Sequence, residues 1–181
     1  LGAAGCRVVN LLAKGSRKHC EGQLRRTPEQ HLADVRAEIL AAVDRDMRVN
    51  LYLEDWSNGM RHSPDYVYAM LDGLADAPVQ RFLCPDTLGV LDPYDTECFC
   101  RDLVTRYPHL HFDFHAHNDY DLAVANTAAA VRAGFHGVHV TVNGLGERAG
   151  NAPLSSTVAV LHDRLGCTTG IDETKINRVS R

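Results

Sequence analysis

The 181-residue sequence has no Cys-x-x-Cys pair, no block of like charges and no apolar run near the roughly 18 residues of a membrane span. Its 19 basic and 23 acidic residues are mixed along the chain, which argues against nucleic acid or a membrane surface as the main partner. The six cysteines favour buried thiols in a reducing compartment over a disulfide framework, so we expect a cytoplasmic protein. With 45% apolar residues, the chain is still expected to bury a real core, as one domain or as part of a larger one.

Five β-type runs alternate with helical segments along the chain. The runs cover residues 7–13, 47–53, 81–84, 111–115 and 138–142. Helix starts are marked by an N-cap residue followed by proline at Thr27-Pro28, Ser63-Pro64 and Asp92-Pro93. Because a parallel strand cannot be reached through a tight hairpin, this alternation predicts βαβ crossovers and a parallel α/β sheet.

Polar residues follow every one of these runs. They stand at positions 14–16, 54–55, 86–87, 115–119, and 143 and 147. An open sheet gathers its ligand residues at one switch point, whereas a (β/α)8 barrel uses the carboxyl ends of most of its strands. The distribution favours the barrel over the open sheet. Five runs correspond to part of a complete barrel, which needs eight strands and about 250 residues.

His115 and His117 stand two residues apart at the end of the fourth run. Side chains two apart on a strand share one face, so both imidazoles can converge on one metal ion. The alternative is a pair of histidines bonded to backbone carbonyls at a strand edge. The Gly-rich stretch 143–151 follows the next run and should lie beside them, where its glycines allow close approach to a ligand. It lacks the Gly-Lys-Ser/Thr ending of a P-loop, and a merely structural loop is the alternative for this stretch.

Three motifs together resemble the family of acyl-CoA-using aldolase and Claisen-condensing barrels. They are His-Ala-His-Asn-Asp-Tyr-Asp-Leu-Ala-Val-Ala-Asn at 115–126, Asn-Gly-Leu-Gly-Glu-Arg-Ala-Gly-Asn-Ala at 143–152 and Pro-Asp-Thr-Leu-Gly at 85–89. The family contains 2-isopropylmalate, homocitrate and citramalate synthases and, more distantly, hydroxymethylglutaryl-CoA lyase. The resemblance implies an α/β chain with about five C-terminal βα units of a TIM barrel. Residues 1–165 would form this C-terminal part of the catalytic domain, and 166–181 the start of a post-barrel linker or helix.

The resemblance also implies a metal site. The cofactor is a divalent ion, Mg²⁺, Mn²⁺ or Zn²⁺, and the ligands present here are His115, His117 and Asn151. The family's first-strand aspartate has no counterpart in this sequence and is expected upstream of Leu1. Glu54 resembles the glutamate that helps position or deprotonate the acetyl group, with a rim carboxylate paired to a cation as the alternative.

Further residues are assigned to the substrate or to the support of the site. Thr87 resembles the threonine that hydrogen-bonds the substrate, and Arg148 is expected to bind a substrate carboxylate or to pair with Glu147. Glu147 is expected to orient the metal ligands, as is Asp113, for which a polar layer inside the barrel is the alternative. Asp86 is interpreted as a cap for the next helix.

The implied function is a metal-assisted condensation of acetyl-CoA with a 2-oxo acid by an acyltransferase. Within the family, a 2-isopropylmalate synthase-like enzyme of leucine biosynthesis is expected first, with homocitrate or citramalate synthase next. Trp56 and Leu53 depart from the family pattern and leave the 2-oxo acid open. Two rival hypotheses are an inactive metal-binding remnant and a lyase of the hydroxymethylglutaryl type. The full-length protein is expected to be a homodimer, and the 181-residue chain alone to be inactive.

Overall fold

The computed structural model describes residues 2–180, in which strands and helices alternate. The strands are β1 (Val8–Lys14), β2 (Arg48–Glu54), β3 (Val79–Asp86), β4 (Phe112–Ala116) and β5 (Gly137–His139). The α-helices are α1 (Arg17–His19), α2 (Pro28–Val43), α3 (Trp56–His62), α4 (Pro64–Leu74), α5 (Pro93–Arg106), α6 (Ala123–Ala133), α7 (Leu154–Leu165) and α8 (Ile176–Val179). Short 3₁₀ segments span Gly2–Ala4, Val142–Gly144 and Glu173–Lys175, and a π-helical turn spans Cys20–Leu24.

The strands form one parallel sheet in the order β1-β2-β3-β4-β5. Sequence order and spatial order coincide, as in successive βα units of a barrel, so the predicted α/β class and partial barrel are confirmed. Within residues 2–180 no helix has both the length and the apolar character needed to cross a membrane.

The chain divides into two compact units. The first comprises the residues up to Pro85 together with Tyr107–Asp113, and the second comprises Asp86–Arg106 and the residues from Phe114 onward. The first unit contains β1, β2 and helices α2 and α4, and the second contains helices α5, α6 and α7.

In the first unit, burial alternates along β2. Val49, Leu51 and Leu53 are buried, while the residues between them belong to the opposite face, because successive side chains on a strand point to opposite sides. Strand β2 contacts α2, and α2 contacts α4. Ile39 of α2 and Leu71 of α4 are fully buried, so this face carries the hydrophobic core of the unit.

The N-cap signals locate the helix starts, although not every capping residue acts as predicted. Thr27 forms a capping box with Gln30: the Gln30 N–H donates to Thr27 Oγ1 (3.3 Å), and the Thr27 N–H donates to Gln30 Oε1 (3.1 Å). Asp92 caps α5 by accepting from the Asp95 N–H at 2.8 Å. Helix α4 does begin at Pro64, but Ser63 Oγ makes no cap bond to it and instead accepts from the Arg17 N–H.

In the second unit, β5 is shorter than the predicted run 138–142. The strand ends at His139, and Val142–Gly144 forms a 3₁₀ turn. The Thr141 N–H donates to the Ala152 carbonyl (3.1 Å), and the Thr141 carbonyl accepts from the Leu154 N–H (2.9 Å). These bonds tie Thr141 to the segment that returns after the Gly-rich stretch. The prediction of strand up to residue 142 is therefore wrong.

Candidate functional site

The three residues predicted to bind metal lie together in the second unit. His115 is in β4 and His117 follows the strand, with ring centroids 5.1 Å apart and ring planes at 80°. Asn151 Nδ2 lies 3.1 Å from His115 Nε2, and Asn151 forms an isolated backbone bridge with His117. The Asn118 N–H donates to the Gly150 carbonyl at 2.9 Å, so the Gly-rich loop is bonded to the segment that carries both histidines.

Both imidazoles are kept neutral by their surroundings. Burial lowers the pKa of His115 to about 4, and the neighbouring His117 and His139 add to this effect because they disfavour another positive charge. Burial, followed by the nearby Arg148, also lowers the pKa of His117. Neutral imidazole is the form that offers a lone pair to a metal ion, so both rings are ready to bind one near pH 7.

Nδ1 of His117 is buried and forms no hydrogen bond within residues 2–180. A buried nitrogen without a partner is destabilising unless another group engages it. The carboxamide of Asn151 has an oxygen and a nitrogen in near-equivalent positions, so a half-turn of the group presents Oδ1 in place of Nδ2. The cluster thus combines two neutral imidazoles with an oxygen donor, which fits a divalent ion.

Gly146 creates the space that Asn151 occupies. A Cβ atom at residue 146 would lie 1.6 Å from Asn151 Oδ1, far inside any real contact. The position of Asn151 therefore depends on the absence of a side chain at residue 146. Within the described residues, no group of three His, Cys, Asp or Glu side chains is arranged to hold a metal ion.

Arg148 is bound mainly by Asp119, a residue for which the sequence predicted no role. Its Nε and one terminal nitrogen contact Asp119 Oδ1 and Oδ2 at 2.7 and 2.8 Å, and the same terminal nitrogen donates to the Thr87 carbonyl at 2.9 Å. The predicted partner Glu147 lies 3.8 Å away. The Arg148 hydrogen bond lowers the pKa of Asp119. The only signal of this role in the sequence is the position of Asp119 two residues after His117.

The contacts of Glu147, Thr87 and Asp86 define the rest of this rim. Glu147 Oε2 lies 4.0 Å from His117 Nε2, although the Glu147 side chain is largely exposed. Asp86 accepts from the N–H groups of Val90 and Leu91, both at 3.0 Å. The interpretation of Asp86 as a helix cap is therefore wrong. Asp86 fixes the turn that begins with Thr87, because its carboxylate bonds the backbone at the far end of that turn.

Asp113 belongs to the first unit. Its carboxylate is buried and contacts His111 Nε2 at 2.8 Å and a terminal nitrogen of Arg81 at 3.1 Å. These contacts match the polar layer that was the alternative for this residue. A role for Asp113 in orienting His115 stays a prediction.

Glu54 also lies in the first unit, where its carboxylate contacts the ammonium of Lys14. The adjacent Asp55 has φ 67° and accepts from Ser16 Oγ and from Asn58 Nδ2, both at 2.7 Å. His19 Nε2 lies 3.5 Å from Asp55 Oδ2. The ends of β1 and β2 thus carry a second polar cluster, in which Glu54 has a cationic partner.

Comparisons with known proteins identify relatives of the chain. A model of the HMGL-like family matches residues 2–181. The chain is 34% identical over 177 residues to a 2-isopropylmalate synthase of Sulfurisphaera tokodaii, covering 98% of this chain and 45% of that protein. It is 37% identical over 181 residues to a homocitrate synthase of Frankia alni, covering 99% of this chain and 50% of that protein.

A similar fold is found among solved structures. A hydroxymethylglutaryl-CoA lyase from Pseudomonas aeruginosa superimposes with a TM-score of 0.83 at 21% identity, over 98% of this chain and 62% of that one. At this identity the likeness concerns the fold alone. The chain spans between about a quarter and a half of the length of the curated relatives that it matches.

Proposed function

The chain belongs to the HMGL-like family, and from this premise we propose that it is part of an acyltransferase that condenses acetyl-CoA with a 2-oxo acid. In its most specific form, the proposal is a 2-isopropylmalate synthase-like enzyme of leucine biosynthesis. The observation that carries it is the cluster of His115, His117 and Asn151 at the end of β4. Relatives named as synthases support the same reaction class.

His115, His117 and Asn151 would hold a divalent cation, Mg²⁺, Mn²⁺ or Zn²⁺. When bound, such an ion supplies a Lewis acid for the ketone of a 2-oxo acid. The chain itself keeps both imidazoles neutral through burial and leaves room for the Asn151 amide at Gly146. The pair of Arg148 with Asp119 fixes the Gly-rich loop against the segment that follows β4.

Glu54 would accept a proton from the methyl group of acetyl-CoA. Its place at the carboxyl end of a parallel strand supports this role, because barrel enzymes draw catalytic groups from these ends. A positioned carboxylate of this kind contributes rate as a general base. Thr87 would hydrogen-bond the 2-oxo acid from the turn that Asp86 holds in place.

Arg148 was expected to bind a substrate carboxylate or Glu147. Its guanidinium is engaged by both carboxylate oxygens of Asp119 and by the Thr87 carbonyl. We therefore favour a role for Arg148 in fixing the loop over one in binding substrate. Glu147, close to His117 and exposed, is proposed to orient that imidazole.

More than one 2-oxo acid is compatible with the proposed condensation. Homocitrate and citramalate synthases run the same condensation on different 2-oxo acids, and the relative from Frankia alni is a homocitrate synthase. Neither the metal site nor Glu54 distinguishes these substrates, since both act on groups that all 2-oxo acids and acetyl-CoA share. Specificity is expected to reside in side chains that face the tail of the 2-oxo acid.

The test uses the intact protein that contains this chain. Metal content is measured by elemental analysis for the wild type, His115→Ala and His117→Ala. Thiol release from acetyl-CoA is measured with 2-oxoisovalerate and with 2-oxo acids that have methyl or carboxyalkyl tails. Because even supporting residues of metal sites change affinity by about 10- to 100-fold, each histidine variant should lose at least that much affinity and all condensation.

His162→Ala is the matched control, because His162 is an exposed histidine in α7 outside the cluster. It should retain metal and activity. Unchanged metal content in both His115→Ala and His117→Ala would remove the metal assignment, and no thiol release with any 2-oxo acid would remove the condensation.

A further inference from the structure

Lys14 has no assigned role in the proposed chemistry, yet it is the direct partner of Glu54. It is the last residue of β1 and stands opposite Glu54, the last residue of β2, in the parallel register. Its ammonium contacts Glu54 Oε2, and the two side chains are 15% and 26% exposed. A largely buried ion pair is screened by solvent less than a surface pair, so the contact holds both groups firmly.

The pair lies at the end of one face of β1 and β2. Glu54 shares this face of β2 with Asn50, opposite the buried face of the strand. Asn10 is on the same face of β1 as Lys14, and its Oδ1 accepts from Asn50 Nδ2 at 2.9 Å. The face also carries Leu12 and Tyr52, which pair between the asparagines and the strand ends. It ends in Lys14 and Glu54, at the strand end where parallel α/β proteins place chemistry.

The backbone of Lys14 is fixed from both sides by two buried side chains. The Lys14 N–H donates to His31 Nε2 at 3.4 Å, and the Tyr66 hydroxyl donates to the Lys14 carbonyl at 3.0 Å. His31 Nδ1 lies 2.7 Å from the Tyr66 oxygen. Because the hydroxyl has a single hydrogen, His31 Nδ1 must donate to Tyr66, which leaves Nε2 as the acceptor for Lys14.

This arrangement requires His31 to be neutral. Burial lowers the pKa of His31, and the nearby Lys14 lowers it further, against an opposing effect of Asp34. Burial likewise raises the pKa of Tyr66 and keeps its hydroxyl protonated. The three hydrogen bonds form one consistent set, so they hold the end of β1 in a single position.

We propose that Lys14 is a positioning residue for Glu54. Its ammonium ties Oε2 and leaves Oε1 to take the proton from the acetyl methyl group. In that step the C–H bond breaks, an O–H bond forms at Oε1, and the electron pair of the C–H bond moves into the enolate, whose charge rests on the thioester oxygen. The inference rests on the proposed function, because it assumes that Glu54 accepts this proton.

The experiment compares Lys14→Met, Lys14→Arg, Glu54→Gln and the double variant Lys14→Met/Glu54→Gln in the intact protein. The assay follows thiol release from acetyl-CoA and from methyl-deuterated acetyl-CoA with 2-oxoisovalerate. Since small misplacements of a catalytic group cost up to about a hundredfold, kcat of Lys14→Met should fall about 10- to 100-fold. KM for the 2-oxo acid should stay near the wild-type value, because the proposed role of Lys14 is exerted on Glu54 and not on the 2-oxo acid.

Two readouts separate positioning from a merely structural effect. The deuterium isotope effect should rise in Lys14→Met, because proton removal becomes more rate-limiting, and Lys14→Arg should recover part of kcat. In the Glu54→Gln background, Lys14→Met should change kcat less than about twofold, because residues that act as a unit are not additive. Lys18→Met, which removes an exposed lysine of α1, is the control and should behave as the wild type.

The outcomes are distinct. Full kcat in Lys14→Met, or a loss that is multiplicative with that of Glu54→Gln, would overturn the role of Lys14 while leaving that of Glu54 intact. Wild-type kcat in Glu54→Gln would overturn both the base assignment and the inference built on it. If Lys14→Met does not reach the wild-type Tm, Lys14→Gln serves in its place with the same expected result.

Discussion

Replacement of Gly146 by alanine tests whether Asn151 is a metal ligand, and it does so without a substitution at any of the proposed ligands. The new Cβ would stand 1.6 Å from Asn151 Oδ1 and 2.8 Å from its Cγ. Contacts below 3.0 Å do not occur for real Cβ atoms, so the carboxamide must move by more than an ångström. Gly146 has no positive φ, and alanine itself therefore brings no backbone strain at this position.

The size of the effect follows from the ligand set. Displacement of Asn151 removes one of the three ligands proposed for this chain, leaving His115 and His117. Since changes in supporting residues already weaken metal binding about 10- to 100-fold, Gly146→Ala should weaken it by about a hundredfold or more. The loss is local, because residue 146 lies in a loop between β5 and α7.

Metal binding is measured by titration of the metal-free intact protein with Mn²⁺, detected by electron paramagnetic resonance, and Tm is measured without metal. Gly22→Ala and Gly170→Ala are matched controls, because a Cβ at either position meets nothing within 4 Å. Both controls should bind Mn²⁺ as the wild type does. Wild-type affinity in Gly146→Ala would refute the assignment of Asn151 as a ligand.

Three further predictions concern the supporting contacts. Asp119→Asn removes the charge that binds Arg148 and should weaken metal binding about tenfold in the same titration, whereas an unchanged affinity would show that the pair does not position the loop. Tyr66→Phe leaves His31 Nδ1 and the Lys14 carbonyl without the hydroxyl and should lower the free energy of unfolding by about 1–3 kcal/mol in urea; no loss would contradict the hydrogen-bond set. Burial lowers the pKa of His31 below 6.5, so as the pH falls the unfolded chain gains a proton at this residue that the folded chain does not. The free energy of unfolding should therefore decrease from pH 7 to pH 5, by at most about 1.4 kcal/mol per pH unit from this group. His31→Gln should flatten that slope, and an unaltered slope would contradict it.

The features that the sequence predicted correctly are local or periodic. The capping box at Thr27 and the cap at Asp92 are encoded within a few residues, and the alternation of strands with helices determines the parallel class. The proximity of His115 and His117 follows from their spacing at a strand end. Asn151 comes from a loop 34 residues after His117. The order of the runs predicted that this Gly-rich stretch lies beside the histidines, and the motif resemblance then singled out Asn151 within it.

The features that the sequence did not predict depend on contacts between distant segments. The pairing of Lys14 with Glu54 requires the register of β1 against β2, which no local pattern encodes. Asp119 meets Arg148 across 29 residues. The early end of β5 has the same origin, because the backbone of Thr141 bonds a segment that returns only after the Gly-rich loop.

The proposed metal-assisted condensation is tested most simply by thiol release from acetyl-CoA by the intact protein, before and after removal of divalent metal with a chelator. We expect one thiol released for each 2-oxo acid consumed, loss of this activity on chelation, and recovery on addition of Mn²⁺ or Mg²⁺ in the wild type but not in His117→Ala. Thiol release that persists after chelation, or that does not depend on a 2-oxo acid, would contradict it.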